Sequence, residues 1–234
     1  MDDVVSIARR FRGPPDSGNG GYVAGILAKH FGGSACNVRL MMPPPLDVPL
    51  RVEIGGSGAL LLHEDQAIAE AAAAEVDVKV PPPPTAAAAR AAEARFTGLA
   101  DHNFPGCFVC GPDRSPGDGL RIFPGAAGNQ VAATWRPSDD LADDGGLVRT
   151  EYLWAALDCP GYFAVEQQAG LAVLGSLAVV LHRPVRAGET LIVTGWPIAS
   201  EGRKHRVGTA LHDSSGQLAA AAIATWVTLR PRSG

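Results

Sequence analysis

The chain has 234 residues, 46% of them hydrophobic, with 20 basic against 24 acidic side chains and a net charge of −4. Such a length and composition fit a well-cored protein of one large domain or two small ones sharing an interface. The mild acidity, with no Lys/Arg run longer than Arg203-Lys204, excludes the electrostatic footprint of a sequence-independent nucleic-acid binder. In chain order, Gly18-Asn19-Gly20-Gly21 comes first, followed by a helical segment over 22–31 and strands over 38–42, 50–54, 59–64 and 66–80. The first of these strands ends at Pro43-Pro44-Pro45. Pro81-Pro82-Pro83-Pro84 then breaks the composition: tetraproline favours stiff polyproline, and the Ala/Arg/Glu run up to Arg95 is strong helix former. Residues 81–106 therefore read as a linker with a spacer helix.

Beyond the linker, segments 119–123 and 130–136 predict a hairpin. Asp143-Asp144-Gly145-Gly146 then opens a helical segment over 147–158, and strands follow over 176–182, 190–196, 205–213 and 217–229. The first of these strands ends at Arg183-Pro184. Both stretches pass through diglycine, helix, strand, proline corner, strand, a strand closing on a His-acid pair (His63-Glu64 and His212-Asp213) and an alanine-rich strand. The repetition predicts a duplication, with residues 1–80 a shortened first half and residues 107–234 a second half. Each half is expected to insert a helix into an antiparallel sheet, an α+β arrangement.

The N-terminal Met1-Asp2-Asp3 carries acids where a secretory signal carries bases. The longest apolar-rich stretch, 169–181, is broken by Gly170, Gly175 and Ser176 and is too short to cross a bilayer. A cytoplasmic location and no membrane span are expected. Cysteines are sparse (Cys36, Cys107, Cys110 and Cys159), which predicts reduced thiols. Cys107-x-x-Cys110 lacks a second such pair, and Cys159 stands far off in sequence, so no metal and no cofactor are expected.

A helix N-terminus offers amides without internal partners and a positive dipole end, and a diglycine there brings bare amides close to a carbonyl or phosphate oxygen. Gly20-Gly21 and Gly145-Gly146 are both expected at such a position. Asn19 can cap the first helix or orient a substrate. Asp158 lies at the end of the second helical segment, where the dipole disfavours a carboxylate and Pro160 stops the helix, so local preference does not explain it. Glu151 is a second carboxylate choice on the same helix. Arg203 and Arg206, in a basic cluster between strands, suit phosphate contacts. No phosphate-cradling loop, no serine elbow and no dinucleotide fingerprint occurs.

The strings Asn19-Gly20-Gly21-Tyr22-Val23-Ala24-Gly25, Cys107-Phe108-Val109-Cys110-Gly111-Pro112 and His182-Arg183-Pro184, taken in this order, resemble the hotdog-fold acyl-CoA thioesterases. The two copies resemble the double-hotdog form, similar to acyl-CoA thioesterase II and to the phenylacetate-pathway-type enzymes. The resemblance implies two antiparallel sheets, each wrapped around a central helix. It also implies an acyl thioester substrate such as acyl-CoA, a homo-oligomer (dimer), and a helix-terminal amide that polarises the thioester carbonyl. By position Asp158 looks like the family's catalytic Asp. Thr225 falls at the place of a second catalytic residue, Gly175 stands where the family has a hydroxyl, and Ser176 adjoins it. The implied catalytic set is Asp158, Gly20, Gly21 and Thr225. The implied substrate-binding set is Asn19, Gly145, Gly146, Ser176, Arg203 and Arg206. A non-catalytic acyl-thioester or lipid-binding module is the alternative, favoured by Gly175.

Overall fold

The computed structural model describes residues 3–31, 35–56 and 58–230. The first half contributes β1 (Asp3–Ser6), helix α1 (Gly20–Phe31), β2 (Ala35–Leu40), β3 (Pro49–Gly55), β4 (Gly58–His63) and β5 (Gln66–Ala73). Helix α2 (Ala86–Glu93) lies in the connection. The second half contributes β6 (Gly125–Ala127), β7 (Gln130–Trp135), helices α3 (Thr150–Ala156), α4 (Cys159–Phe163) and α5 (Glu166–Ala169), then β8 (Ala172–Leu181), β9 (Leu191–Glu201), β10 (Lys204–Asp213) and β11 (Leu218–Thr228).

Strand residues alternate between a buried face and a more exposed one, as in β2 and β3, so that one face of each strand is apolar and must be covered. The strands form one 11-stranded sheet in the order β1-β3-β4-β5-β2-β8-β11-β10-β9-β7-β6. From the centre outward, β2-β5-β4-β3-β1 on one side matches β8-β11-β10-β9-β7 on the other, which is the repetition seen in the sequence. The expected pair of separate sheets is corrected here. β2 and β8 join antiparallel, with Val38 opposite Leu177 and Cys36 opposite Val179, and the two half-sheets become continuous. Pairing satisfies two edges that would otherwise present open backbone groups.

Other expected elements also differ, and the strand expected over 66–80 ends at Ala73. Segment 119–123 is not a strand: Leu120 and Ile122 donate to the carbonyls of Phe108 and Val109, Arg121 has φ 51°, and β6 takes the place beside β7. The second helix begins at Thr150 rather than at 147 and ends at Ala156. The internal repeat fixes how the halves correspond. Asn19 donates to the Phe11 carbonyl as Arg149 donates to that of Leu141, and the Arg12–Gly18 bridge matches Ala142–Val148. Gly20 and Gly21 thus correspond to Thr150 and Glu151. Gly145-Gly146 sits in a turn before the helix, where Asp143 Oδ1 accepts from the Gly145 and Leu147 amides, each at 2.9 Å.

Helices α1 and α3 lie antiparallel and in contact over the buried face of the sheet. A Cβ added to Gly21 would lie 2.5 Å from the Asp158 Cβ, and one added to Gly25 would lie 2.5 Å from the Glu151 Cα. Glycine is required at both places because the two backbones approach too closely for any side chain. The linker helix α2 is N-capped by Thr85, whose hydroxyl accepts from Ala88, and it packs Ala89 against Ala132 and Ile192. Glu93 fastens its end to β7 by accepting from the Thr134 amide and hydroxyl.

Candidate active site

Asp158 lies at the break where α3 gives way to α4, with φ −82° and ψ −80°, and its side chain does not cap α4. Instead it crosses to the other half. Oδ2 accepts from the Gly21 amide at 2.9 Å and from Asn19 Nδ2 at 2.8 Å. Asn19 meanwhile caps α1 by accepting from the Tyr22 amide through Oδ1 at 2.9 Å. Its side chain therefore caps one helix, the first of the tasks weighed for it, and also orients the carboxylate from another.

The carboxylate is only 1% exposed, and its Oδ1 has no protein partner. Burial pushes Asp158 up to about 7, negative charge on the Cys107 sulfur adds to the rise, and the hydrogen bonds from Gly21 and Asn19 oppose it. Gly20, one residue before the donating amide, faces two apolar side chains. A Cβ there would lie 2.9 Å from both Leu40 and Leu174, so these leucines stand over the amide end of α1.

Asp158, Asn19, Gly20 and Gly21 are thus brought together, and the other expected site residues are not. Ser176 pairs with Thr225, Thr225 pairs with Arg206, and Ser176 pairs with Arg39, one row across three strand pairings. Their chain neighbours Leu177 and Ala224 are buried, which puts Ser176 and Thr225 on the face of the sheet turned away from α1 and α3. Gly175 is the extra residue of a bulge, because Thr225 pairs with Ser176 and Trp226 with Leu174. Arg203, beyond the β9 end, donates to the Thr228 carbonyl, and Arg206 is exposed in the outward row. Gly145 and Gly146 flank a different place, a cleft of about 570 Å³ lined by Lys29, Arg149, Glu151, Leu181, His182 and Arg183. This cleft corresponds by the internal repeat to the Asp158 site, but Ala28 stands where Asp158 would be and Glu151 where Gly21 would be.

Three cysteines adjoin the carboxylate. The sulfurs of Cys107, Cys110 and Cys159 all lie within 4.8 Å of one another, with Cys107 and Cys159 at 3.8 Å, and Asn19 Nδ2 is 3.9 Å from both of those sulfurs. Hydrogen bonds from the Cys110 and Cys159 thiols and from the Cys110 and Val109 amides hold Cys107 well below the usual thiol range. Cys159, set aside on sequence distance, is delivered to the pair by the α3–α4 break. The loop bearing Cys107 and Cys110 is itself clamped by Arg114, which donates to the carbonyls of Gly106 and Arg10 and to Asp118. Neither contact has a local sequence signal. Only the short spacing of Cys107 and Cys110 pointed to this region.

No family description matches the sequence, and no curated protein matches it. Solved structures do share its fold. A proposed thioesterase from Novosphingobium aromaticivorans aligns with TM-score 0.65 at 11% identity, over 98% of this chain and 96% of that one. A hot dog fold protein of unknown function from Alicyclobacillus acidocaldarius gives 0.63 at 12% identity, over 98% and 94%. The tesB protein of Mycobacterium avium subsp. paratuberculosis gives 0.62 at 13% identity, over 98% and 93%. With its repeated half-sheets and its paired helices α1 and α3, the chain has the hot dog fold in doubled form.

Proposed function

We propose that the protein hydrolyses an acyl thioester, of which acyl-CoA is the leading candidate, at the junction of α1 and α3. The observation that carries this reading is the direct contact of a buried carboxylate with the amide that opens a 12-residue helix from the other half. The thioester carbonyl takes the Gly21 N–H in place of Asp158 Oδ2, and the helix dipole stabilises the oxyanion as it forms. Asp158, still held by Asn19, removes a proton from water. The resulting hydroxide attacks the acyl carbon, the tetrahedral intermediate expels the thiolate, and the proton passes from Asp158 to that sulfur. Leu40 and Leu174 are the side chains an entering acyl group would displace. The thioesterase names carried by proteins of the same fold agree with this chemistry.

The second reading, an acyl-thioester-binding module without turnover, is favoured by the outward position of Thr225 and Ser176, which leaves Asp158 without a hydroxyl partner for the water. A panel of acyl-CoAs assayed for free thiol separates the two. Turnover that falls by about 10²–10⁴ in Asp158→Asn supports hydrolysis. Saturable acyl-CoA binding with no thiol release from the unaltered protein supports the module.

A further inference from the structure

We propose that Cys107, Cys110 and Cys159 together bind one zinc ion as thiolates, with the fourth coordination position on the side of Asn19 and Asp158. The inference goes beyond thioester hydrolysis and stands whether or not the protein turns over a thioester. Zinc bound to sulfur at about 2.3 Å in a tetrahedron sets neighbouring sulfurs about 3.8 Å apart. Cys107 and Cys159 lie 3.8 Å apart, and all three sulfurs lie within 4.8 Å of one another. A disulfide would need roughly 2.05 Å between two of them.

The backbone is shaped for the same purpose. Cys107-Phe108-Val109-Cys110-Gly111 turns back on itself, with the Gly111 amide donating to the Cys107 carbonyl at 2.9 Å, so that the sulfurs of Cys107 and Cys110 come together. Gly111 cannot be replaced in this turn, since a Cβ would lie 2.5 Å from the carbonyl oxygens of both Cys107 and Pro105. Asn19 Nδ2, 3.9 Å from two of the sulfurs, brings a hydrogen-bond donor toward the negative cluster. Behind it the buried Asp158 Oδ1 has no protein partner.

Thiolates suit zinc better than magnesium or calcium, which take oxygen ligands. On binding, the thiols that are still protonated lose their protons to solvent and three sulfur–metal bonds form, with no change of oxidation state. The ion would join the loop after the linker to the start of α4 and so fix the residue next to Asp158.

The test uses the untagged full-length chain, purified under reducing conditions without chelator. Expected are close to one zinc per chain by elemental analysis, an X-ray absorption spectrum with three sulfur neighbours, and thiolate-to-cobalt charge-transfer absorption after exchange into cobalt(II). Cys107→Ser and Cys159→Ser should lose the metal, while Cys36→Ser, whose sulfur is outside the cluster, should keep it. Less than a tenth of an equivalent of zinc together with no charge-transfer band on adding cobalt(II) would overturn the proposal. So would a spectrum with only nitrogen and oxygen neighbours, which can be read on the unaltered protein even if the cysteine variants fail to fold.

Discussion

Asp158 illustrates how a residue that looks misplaced locally can be justified by the other half of the chain. A carboxylate at a helix end is disfavoured by the dipole of its own helix, but here it meets the amide end of α1, 137 positions away in sequence. Gly21 is needed twice in this contact, for its N–H and for its lack of a side chain. Gly21→Ala should therefore cost about 1–3 kcal/mol in chemical denaturation and lower the proposed thioester hydrolysis, because the new methyl would press on Asp158. A second buried group contributes to the response of stability to pH. His212 is 3% exposed, and burial lowers its pKa while neighbouring Asp213 works in the opposite direction. Its unfolded value is about 6.5, so below that pH the unfolded chain binds more protons and stability falls. Above about 6.5 the loss is absent. The stability of His212→Leu relative to the unaltered protein should accordingly rise as pH falls from about 7 to 5, measured by urea midpoints.

Among the elements, the helices were harder to read than the strands. β8 to β11 were legible because β-branched runs between turns leave little choice. The start of α3 was misplaced because Gly145-Gly146 imitates Gly20-Gly21. The matching backbone bonds of Asn19 and Arg149 and the matching bridges before them show that the glycines of the second half belong to the preceding turn. Segment 119–123 misled for a related reason, since its amides bond to the loop at 108–109 instead of to a strand. That loop depends on Arg114, which is largely buried and makes three hydrogen bonds. Arg114→Leu should destabilise the protein by about 3 kcal/mol, because two carbonyls and a carboxylate lose a charged donor. Thermal or urea unfolding would measure it, and Arg114→Lys should restore only part of the loss, since an ammonium lacks the planar fork.

At the level of the whole molecule, the halves share both a sheet and a helix pair. Val38 and Leu177, paired across the β2–β8 seam, are fully buried, and α1 packs on α3 along glycine-lined backbone. Neither half buries its apolar surface alone, so unfolding is expected to be one cooperative transition. All four tryptophans (Trp135, Trp154, Trp196 and Trp226) lie in the second half, whereas far-ultraviolet circular dichroism reports both halves. Coincident fluorescence and dichroism midpoints in urea are the expected result, and two separated midpoints would show that the halves unfold independently.

Alternation, turn residues and the repeated order of signals act between near neighbours in the chain, and these determined most of the element types and the duplication, while the family resemblance singled out Asp158. Tertiary structure decided which groups meet. Ser176 and Thr225 lie beside each other on the outward face because a bulge and the two-residue strand period put them there. Asp158 reaches Gly21, and Cys159 reaches Cys107, because two helices pack closely enough for a side chain from one to touch the backbone of the other. Such meetings depend on the register between distant elements, which no local pattern encodes.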